Sequence, residues 1–215
     1  MSRPSQNTDQ RLIEAAREML GTSGLSRMNL REVAKKAGVN LGMFHYHFKT
    51  KDQFTRAVLQ DTYDKFFREF SLESSRDGDP LQNLRGALFT LGKFMLDNRR
   101  MLLGILHDVL NKDRMVLDFV KANGPRHGRV ILDLVRQCQK TGAFRKISLP
   151  TLMPLLMGSV ALPVLVLAML EHLEVKNIRF IPLVLIKREL ASDKAISNRV
   201  DLALESLSSK KGGGR

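Results

Sequence analysis

The residues of this chain best suited to chemistry lie in the segment GVNLGMFHYHFKTKDQF, residues 38–54. Between Gly38 and Lys49 it carries two imidazoles, three aromatic rings and a methionine almost without interruption. A surface helix normally carries its apolar residues on one face only. Rings on all sides of so short a segment therefore indicate that one face packs inward and that a partner covers the other.

Metal and catalytic sites are not supported by the residue spacing. His45 and His47 are two residues apart, so on a helix they point to nearly opposite sides and cannot chelate one ion. The single cysteine, Cys138, forms neither an internal disulfide nor a cysteine zinc site, and a buried helix position is favoured over a nucleophile. The chain has no P-loop, GxSxG or HExxH motif. We therefore expect no enzyme, no cofactor and no metal.

Positive charge is concentrated around the aromatic segment. The formal net charge is +13, and residues 27–56 carry seven bases against two acids. The flanking residues 1–26 and 57–70 have net charges of 0 and −1. A local basic surface of this kind indicates a polyanionic partner such as nucleic acid.

Helix signals place the aromatic segment at the end of a helix-turn-helix over about residues 29–48. A first helix begins near Asn7 or Thr8 and ends near Leu20. Asn29 is suited to cap a second helix, with Glu32 three residues later, and Asn40 is suited to cap a third helix ending near His47. A glycine-containing turn between two short helices is typical of this motif. Phe44 and Phe48 would face inward with Val39, and the outward positions are Leu41, Met43, His45, Tyr46 and His47.

The rest of the chain is also predicted to be helical. A long fourth helix begins at Thr50 or Asp52, and the polar segment SSRDGDP, residues 74–80, is the expected domain boundary. Gly124–Pro125 separates two of the later helices. The tail KKGGGR, residues 210–215, is expected to be disordered. The further helices are predicted at about 81–97, 99–110, 112–122, 126–141, 149–170 and 187–208.

The stretch NLREVAKKAGVNLGMFHYHFKTKDQF resembles the DNA-binding signature of the tetracycline-repressor (TetR) family of bacterial transcription regulators. The resemblance covers about residues 7–67. It implies an all-α fold, in which an N-terminal three-helix DNA-binding domain is joined by a long helix to a C-terminal helical domain for ligand binding and dimerisation. The expected domains are residues 7–67 and 80–209.

The resemblance also implies which residues contact DNA. Arg31 would reach phosphate or a base edge, and Lys51 matches the family's phosphate-binding lysine. Met43 stands where a small residue is common and His45 where tyrosine is usual. At the base step near Met43 we expect recognition by DNA shape or a preference for A·T, and at His45 a phosphate contact that depends on pH. The full set of expected DNA-binding residues is Arg31, Asn40, Leu41, Gly42, Met43, His45, Tyr46, His47, Lys49, Thr50 and Lys51.

The run LMPLLMGSVALPVLVLAML, residues 152–170, contains no charged residue and permits two interpretations. It is long enough to cross a bilayer. It also holds Pro154, Gly158 and Pro163 and lacks flanking aromatic anchors. Burial in a homodimer, through helices at about 149–170 and 187–208, is therefore favoured over a membrane span. The polar N-terminus and the lone cysteine favour a cytoplasmic location without a secretory signal.

A small-molecule effector is implied by the resemblance alone. Residues 76–146 carry 14 bases against seven acids, so an amphipathic, anionic effector is hypothesised. His107, followed by Asp108, could be a polar group of the pocket or a core residue. The expected pocket residues are Phe66, Phe70, Phe89, Met95, Met101, Ile105 and His107.

The sequence thus predicts a ligand-responsive transcriptional regulator. Two copies would bind a pseudo-palindromic DNA operator, and a small-molecule effector would release them. An effector-independent DNA-binding adaptor that uses the same fold is one alternative, and a membrane-attached protein is the other. The operator, the regulated genes and the choice between repression and activation are left open.

Overall fold

The computed structural model of the chain describes residues 7–23, 28–76 and 78–209. Over these ranges the chain folds into α-helices and one short hairpin, which confirms the all-α fold class. The elements in chain order are α1 (Thr8–Ser23), α2 (Leu30–Lys36), α3 (Leu41–His47), α4 (Lys51–Ser74), α5 (Pro80–Asp97), α6 (Arg99–Leu110), α7 (Arg114–Lys140), α8 (Leu149–His172), β1 (Asn177–Ile178), β2 (Ile181–Pro182), α9 (Leu183–Leu190) and α10 (Asp193–Leu207).

The first of two compact units contains the described residues up to 65 together with residues 98–123. In this unit α1 packs against α2, α3 and α6. Leu12, Ala16 and Leu20 of α1 are buried, as their helical spacing predicts. They share the core with side chains from every other helix of the unit, namely Val33, Ala34, Phe44, Phe54, Val58, Leu59, Met101, Val116 and Phe119.

The second unit contains the described residues of 66–97 and 124–209, and α5, α8 and α10 pack against one another at its centre. Gly92 of α5 lies at this three-helix contact. A Cβ atom at residue 92 would stand 2.7 Å from Cγ2 of Ile196 and 3.1 Å from Cγ1 of Val160. The absence of a side chain at Gly92 therefore lets α5 approach both neighbouring helices.

An ion pair also joins α5 to α10 in the second unit. Arg85 donates from Nε to Oδ1 of Asp201 at 2.6 Å and from Nη2 to Oδ2 of Asp201 at 2.8 Å. Its Nη2 also donates to Ser197 Oγ at 2.8 Å. The hydrogen bonds from Arg85 lower the pKa of the Asp201 carboxyl. This bidentate pair fixes the register of α10 against α5.

The prediction of two helices over 112–122 and 126–141 is wrong, because α7 is continuous and contains Pro125. A proline inside a helix removes one N–H donor and costs roughly 3 kcal/mol in the absence of compensation. Tertiary hydrogen bonds hold the preceding turn. The amides of Asn123 and Gln60 exchange hydrogen bonds of 3.0 and 3.2 Å, and Tyr63 Oη donates to the Asn123 carbonyl at 2.7 Å. These bonds override the local signal at Gly124–Pro125.

The single helix predicted over 187–208 is also wrong. In that range α9 ends at Leu190 and α10 begins at Asp193, and the hairpin β1–β2 precedes α9. Ser192 caps α10, since its Oγ accepts from the Ala195 N–H at 3.1 Å. The hairpin is short, with Asn177 paired to Pro182 and Ile178 to Ile181. Two-residue strands carry too little alternation to be detected in the sequence.

The expected domain limits of 7–67 and 80–209 stay a prediction. The compact units differ from those limits, because residues 98–123 group with the N-terminal helices through the contact of α6 with α1. The break at 74–80 does coincide with the end of α4 and the start of α5. The expected disordered tail, residues 210–215, lies outside the described residues.

Gly92→Ala should lower the free energy of unfolding by about 1–3 kcal/mol, because the added methyl group overpacks the contact with Ile196 and Val160. Gly128→Ala in α7 is the matched control, since apart from its chain neighbours and the backbone of its own helix no atom lies within 4 Å of the added Cβ. The control should stabilise the protein by up to about 1 kcal/mol. Chemical denaturation followed by circular dichroism measures both, and equal losses in the two variants would contradict the close packing at Gly92.

Candidate nucleic-acid interface

The two helices of the helix-turn-helix begin at asparagine caps. Oδ1 of Asn29 accepts from the Arg31 N–H at 2.9 Å at the start of α2. Oδ1 of Asn40 accepts from the Gly42 N–H at 2.8 Å at the start of α3. Both caps confirm the sequence prediction, and they satisfy N–H groups that have no partner inside the helix.

The turn between α2 and α3 depends on Gly38. Its φ of +63° lies in the left-handed region that favours glycine. The Gly38 N–H donates to the Lys35 carbonyl at 3.1 Å and the Val39 N–H donates to the Ala34 carbonyl at 3.0 Å. This pair of bonds is the Schellman arrangement, which ends α2 and turns the chain toward α3.

A residue that the sequence analysis missed supports this turn from α1. Arg11 Nη2 donates to the carbonyl of Ala37 at 2.6 Å and to the carbonyl of Gly38 at 3.2 Å. These carbonyls belong to the end of α2 and the turn after it. The residues involved are separated by 26 and 27 positions in the chain, so no local pattern could identify Arg11.

Aromatic packing decides which face of α3 is buried. The Phe44 ring is fully buried and meets Phe54 of α4 edge to face, with 5.0 Å between ring centroids. Phe48 meets the same ring at 4.8 Å. The opposite face carries the exposed side chains of His45 and Tyr46. The inward rings and the outward face agree with the orientation expected from the sequence.

Most of the expected DNA-binding residues are accessible to solvent in the structure. Asn40, Gly42, His45, Tyr46, Lys49 and Thr50 are exposed, and Leu41, Met43 and His47 are half-buried. Asn40 to Met43 lie at the N-terminal end of α3, which is the part of a recognition helix that approaches base edges. The contacts themselves stay a prediction.

Three basic side chains converge beside α3. Arg31, His45 and Lys51 line one open depression of about 520 Å³, together with Met28, Asn29, Leu30 and Leu41. Lys51 is the first residue of α4, whose N-terminus carries positive partial charge. Of the described residues that line the depression, none is acidic. This geometry suits a phosphate group, since cationic side chains and a helix N-terminus both stabilise an anion.

The expected pocket residues divide between the two compact units. Phe66, Phe70, Phe89 and Met95 belong to the second unit, and Met101, Ile105 and His107 to the first. The side chain of His107 is 73% exposed and lies 3.1 Å from Asp108 Oδ1. The structure therefore places the His107 side chain on the exposed surface of α6. The assignment of all seven residues to a pocket stays a prediction.

The second unit gathers an aromatic cluster that the sequence analysis found only in part. Phe66 stacks on Phe94 with 4.3 Å between centroids, and His127 meets the edges of Phe66 and Phe70 at 5.9 and 6.3 Å. Burial lowers the pKa of His127 and favours its neutral form. Phe94 and His127 were missed because they belong to helices far apart in the sequence.

The structure also decides the role of Cys138. The thiol is buried, and burial is the main cause that raises its pKa to about 11. A protonated, inaccessible thiol is a poor nucleophile. Among the described residues, no group of three or more His, Cys, Asp and Glu side chains could hold a metal ion.

Comparison with known proteins gives consistent matches. Residues 12–58 match the family described as bacterial regulatory proteins, tetR family. The transcriptional repressor KstR2 of Mycolicibacterium smegmatis is 27% identical over 146 residues, which are 67% of this chain and 70% of KstR2. The transcriptional regulator TtgR of Pseudomonas putida is 33% identical over 108 residues, 48% of this chain and half of TtgR. A solved structure from Saccharomonospora viridis in complex with choline superposes with a TM-score of 0.72 and 17% identity, covering 96% of this chain and all of that one.

Arg11→Ala should lower the free energy of unfolding by about 1–2 kcal/mol, because it removes two charge-assisted hydrogen bonds from the turn before α3. DNA affinity should fall with it, since α3 loses its fixed orientation. Arg17→Ala is the matched control: it removes the same charge from α1, where a part-exposed pair with Asp61 at 3.5 Å contributes at most about 0.5 kcal/mol. Equal effects of the two variants in denaturation and DNA titration would show that charge alone matters.

Proposed function

Because the chain belongs to the tetR family of bacterial regulatory proteins, we propose that it is a ligand-responsive repressor that binds a pseudo-palindromic operator as a dimer. At the coarser level it is a DNA-binding transcriptional regulator, and members of this family are not enzymes. A cytoplasmic location follows from this role. The observation that carries the proposal is the capped helix α3, which presents one open face beside the basic depression of Arg31, His45 and Lys51.

In this proposal the N-terminal end of α3 reads bases. Asn40 to Met43 enter the major groove. Met43 packs on a thymine methyl group, because its thioether does not form hydrogen bonds with the base edges. The DNA backbone is contacted at and just after the C-terminal end of α3, by Tyr46, His47, Lys49 and Thr50. Arg31, His45 and Lys51 share a phosphate in the depression that they line. Phosphate contacts set the position and base contacts set the sequence preference.

The dimer would form through α8 and α10. One side of α8 is buried against the second unit by Leu152, Leu156, Val160, Val164 and Leu167. The other side exposes an apolar stripe, which we define as Leu155, Leu162, Val166 and Met169 of α8 and Leu173 directly after its end. Leu202 of the neighbouring α10 is also exposed. A helix that is apolar on both sides needs a second covering surface. A second copy, related by a two-fold axis, supplies it.

A membrane span is the competing explanation of α8. This helix is long and apolar enough to cross a bilayer. In its apolar stretch of 18 residues, 33% is buried inside the protein. Its buried side packs between α5 and α10, whose other residues include the ion pair of Arg85 with Asp201. Because α8 packs against two helices that carry charged residues, burial in a dimer explains its exposed apolar side better than insertion into lipid does.

Effector release would operate through two conformations. A ligand bound in the second unit lowers DNA affinity if it prefers the conformation with unfavourable spacing of the two recognition helices. The aromatic cluster of Phe66, Phe70, Phe94 and His127 is the apolar group against which the ligand would pack, and the basic excess of residues 76–146 favours an anionic head group. The effector is therefore proposed to be amphipathic and anionic, such as a fatty acid or an acyl thioester.

Selection from a random double-stranded DNA pool at near-physiological salt tests the central proposal. An enriched inverted repeat is the expected result, since two α3 helices bind half-sites one or more DNA turns apart. Salt-sensitive binding without an enriched motif would leave only phosphate attraction and would favour the effector-independent adaptor.

Two variants separate the roles of the DNA-facing residues. Lys51→Ala should weaken binding to all DNA alike and reduce the slope of log affinity against log salt by about one unit, because one phosphate contact is lost. Met43→Ala should leave that slope unchanged and shift the preferred base at one step of the selected site. A uniform loss of affinity in Met43→Ala would contradict its place at the base-reading end of α3.

A thermal-shift screen tests the effector. Long-chain fatty acids and acyl thioesters should raise the melting temperature and release bound DNA, because ligand binding to the folded state stabilises it by mass action. Stabilisation by cationic or neutral compounds only would contradict the anionic assignment. A protein that keeps its operator in the presence of every stabilising compound would support the adaptor.

A further inference from the structure

The segment between α8 and α10 presents an apolar surface that the proposed DNA-binding role does not use. We define residues 174–190, which include β1, β2 and α9, as the arm. The Phe180 side chain at the hairpin turn is 98% exposed. The exposed large apolar side chains of the arm are Ile178, Phe180, Ile181, Val184 and Leu185.

The arm is attached to the second unit by specific contacts. Lys187 Nζ lies 3.0 Å from Oε1 of Glu171, whose side chain is only 10% exposed. The Leu183 N–H donates to the Lys176 carbonyl at 2.9 Å, which closes the base of the hairpin. α9 also packs against both α8 and α10. These contacts leave the apolar side chains on the outside of the arm.

We propose that the arm is a dimerisation element whose apolar side chains pack on a second copy of this chain. The inference rests on the proposed dimer and adds a surface beyond α8 and α10. The stripe ends at Leu173, and the arm begins at the next residue, so the two sets of exposed apolar side chains are neighbours along the chain. An apolar surface of this extent is rarely left uncovered in a soluble protein.

The size of a stable interface favours the same occupant. A specific interface buries about 800 Å² on each partner, which corresponds to roughly 20–30 residues a side. The stripe with Leu202 supplies six large exposed apolar side chains, and the arm supplies five more. The arm therefore nearly doubles the apolar part of the surface available to the second copy.

Sedimentation velocity over a dilution series tests the arm directly. The double variant Phe180→Asp, Val184→Glu changes only exposed positions and should raise the dimer dissociation constant by at least about tenfold, since it buries two charges in an apolar contact. Leu110→Glu in α6 is the matched control, because Leu110 is 73% exposed in the first unit and should change dimerisation less than about twofold.

Leu162→Glu in the stripe separates failure of the arm from failure of the dimer. We call the Phe180→Asp, Val184→Glu double variant the arm variant. If it dimerises like the wild type while Leu162→Glu is monomeric, the role of the arm in dimerisation is refuted and the proposed dimer is kept. A wild-type chain that is monomeric at every concentration would overturn both. Binding of the wild type to phosphatidylglycerol vesicles that the arm variant loses, with dimerisation unchanged, would assign the arm to a lipid surface instead.

Hydroxyl-radical footprinting measures the burial of Phe180 without altering it. Oxidation of Phe180 should be several-fold lower in the wild-type dimer than in the Leu162→Glu monomer. Tyr46, exposed in the first unit, serves as the internal reference and should be oxidised equally in both. Equal oxidation of Phe180 in the two proteins would overturn the proposal.

Discussion

The burial of Phe44 against Phe54 is the interaction on which the orientation of α3, and with it the proposed DNA-binding face, depends. α3 has only seven residues, and isolated helices shorter than about 12–15 residues are marginal in water. A fully buried phenylalanine contributes roughly 1.5–3 kcal/mol from area alone, and an edge-to-face aromatic pair adds about 0.5–1.5 kcal/mol. Local propensity alone would therefore not hold α3, and its packing on α4 selects which side chains face outward.

The same constraint explains why the turn before α3 is supported from a distance. Once Phe44 fixes one face of α3, the direction in which the chain enters the helix must agree with it. Gly38 supplies the left-handed backbone and Arg11 holds the carbonyls of Ala37 and Gly38. Asn40 then satisfies the Gly42 N–H at the first turn. Packing, turn geometry and capping thus together fix the position of one short helix, α3.

The second unit places its apolar surface differently. α8 packs on α5 and α10 through one side and leaves an apolar stripe on the other, and the arm extends that surface beyond Leu173. Because Gly92 has no side chain, α5 packs closely against the buried side of α8 and excludes solvent there. The outer side has no such cover within the described chain. This exposed apolar side is the observation on which the proposed dimer rests.

The sequence by itself determined the all-α fold, the caps at Asn29 and Asn40 and the inward positions of Phe44 and Phe48, because caps and helical periodicity are local and repeat every three or four residues. Only the tertiary structure decided the rest. The continuity of α7 through Pro125 depends on hydrogen bonds from Gln60 and Tyr63, which are about 60 residues away. Contacts between distant segments also decide three further features, namely the support of the turn by Arg11, the surface position of His107 and the exposure of the arm. No local pattern encodes such contacts.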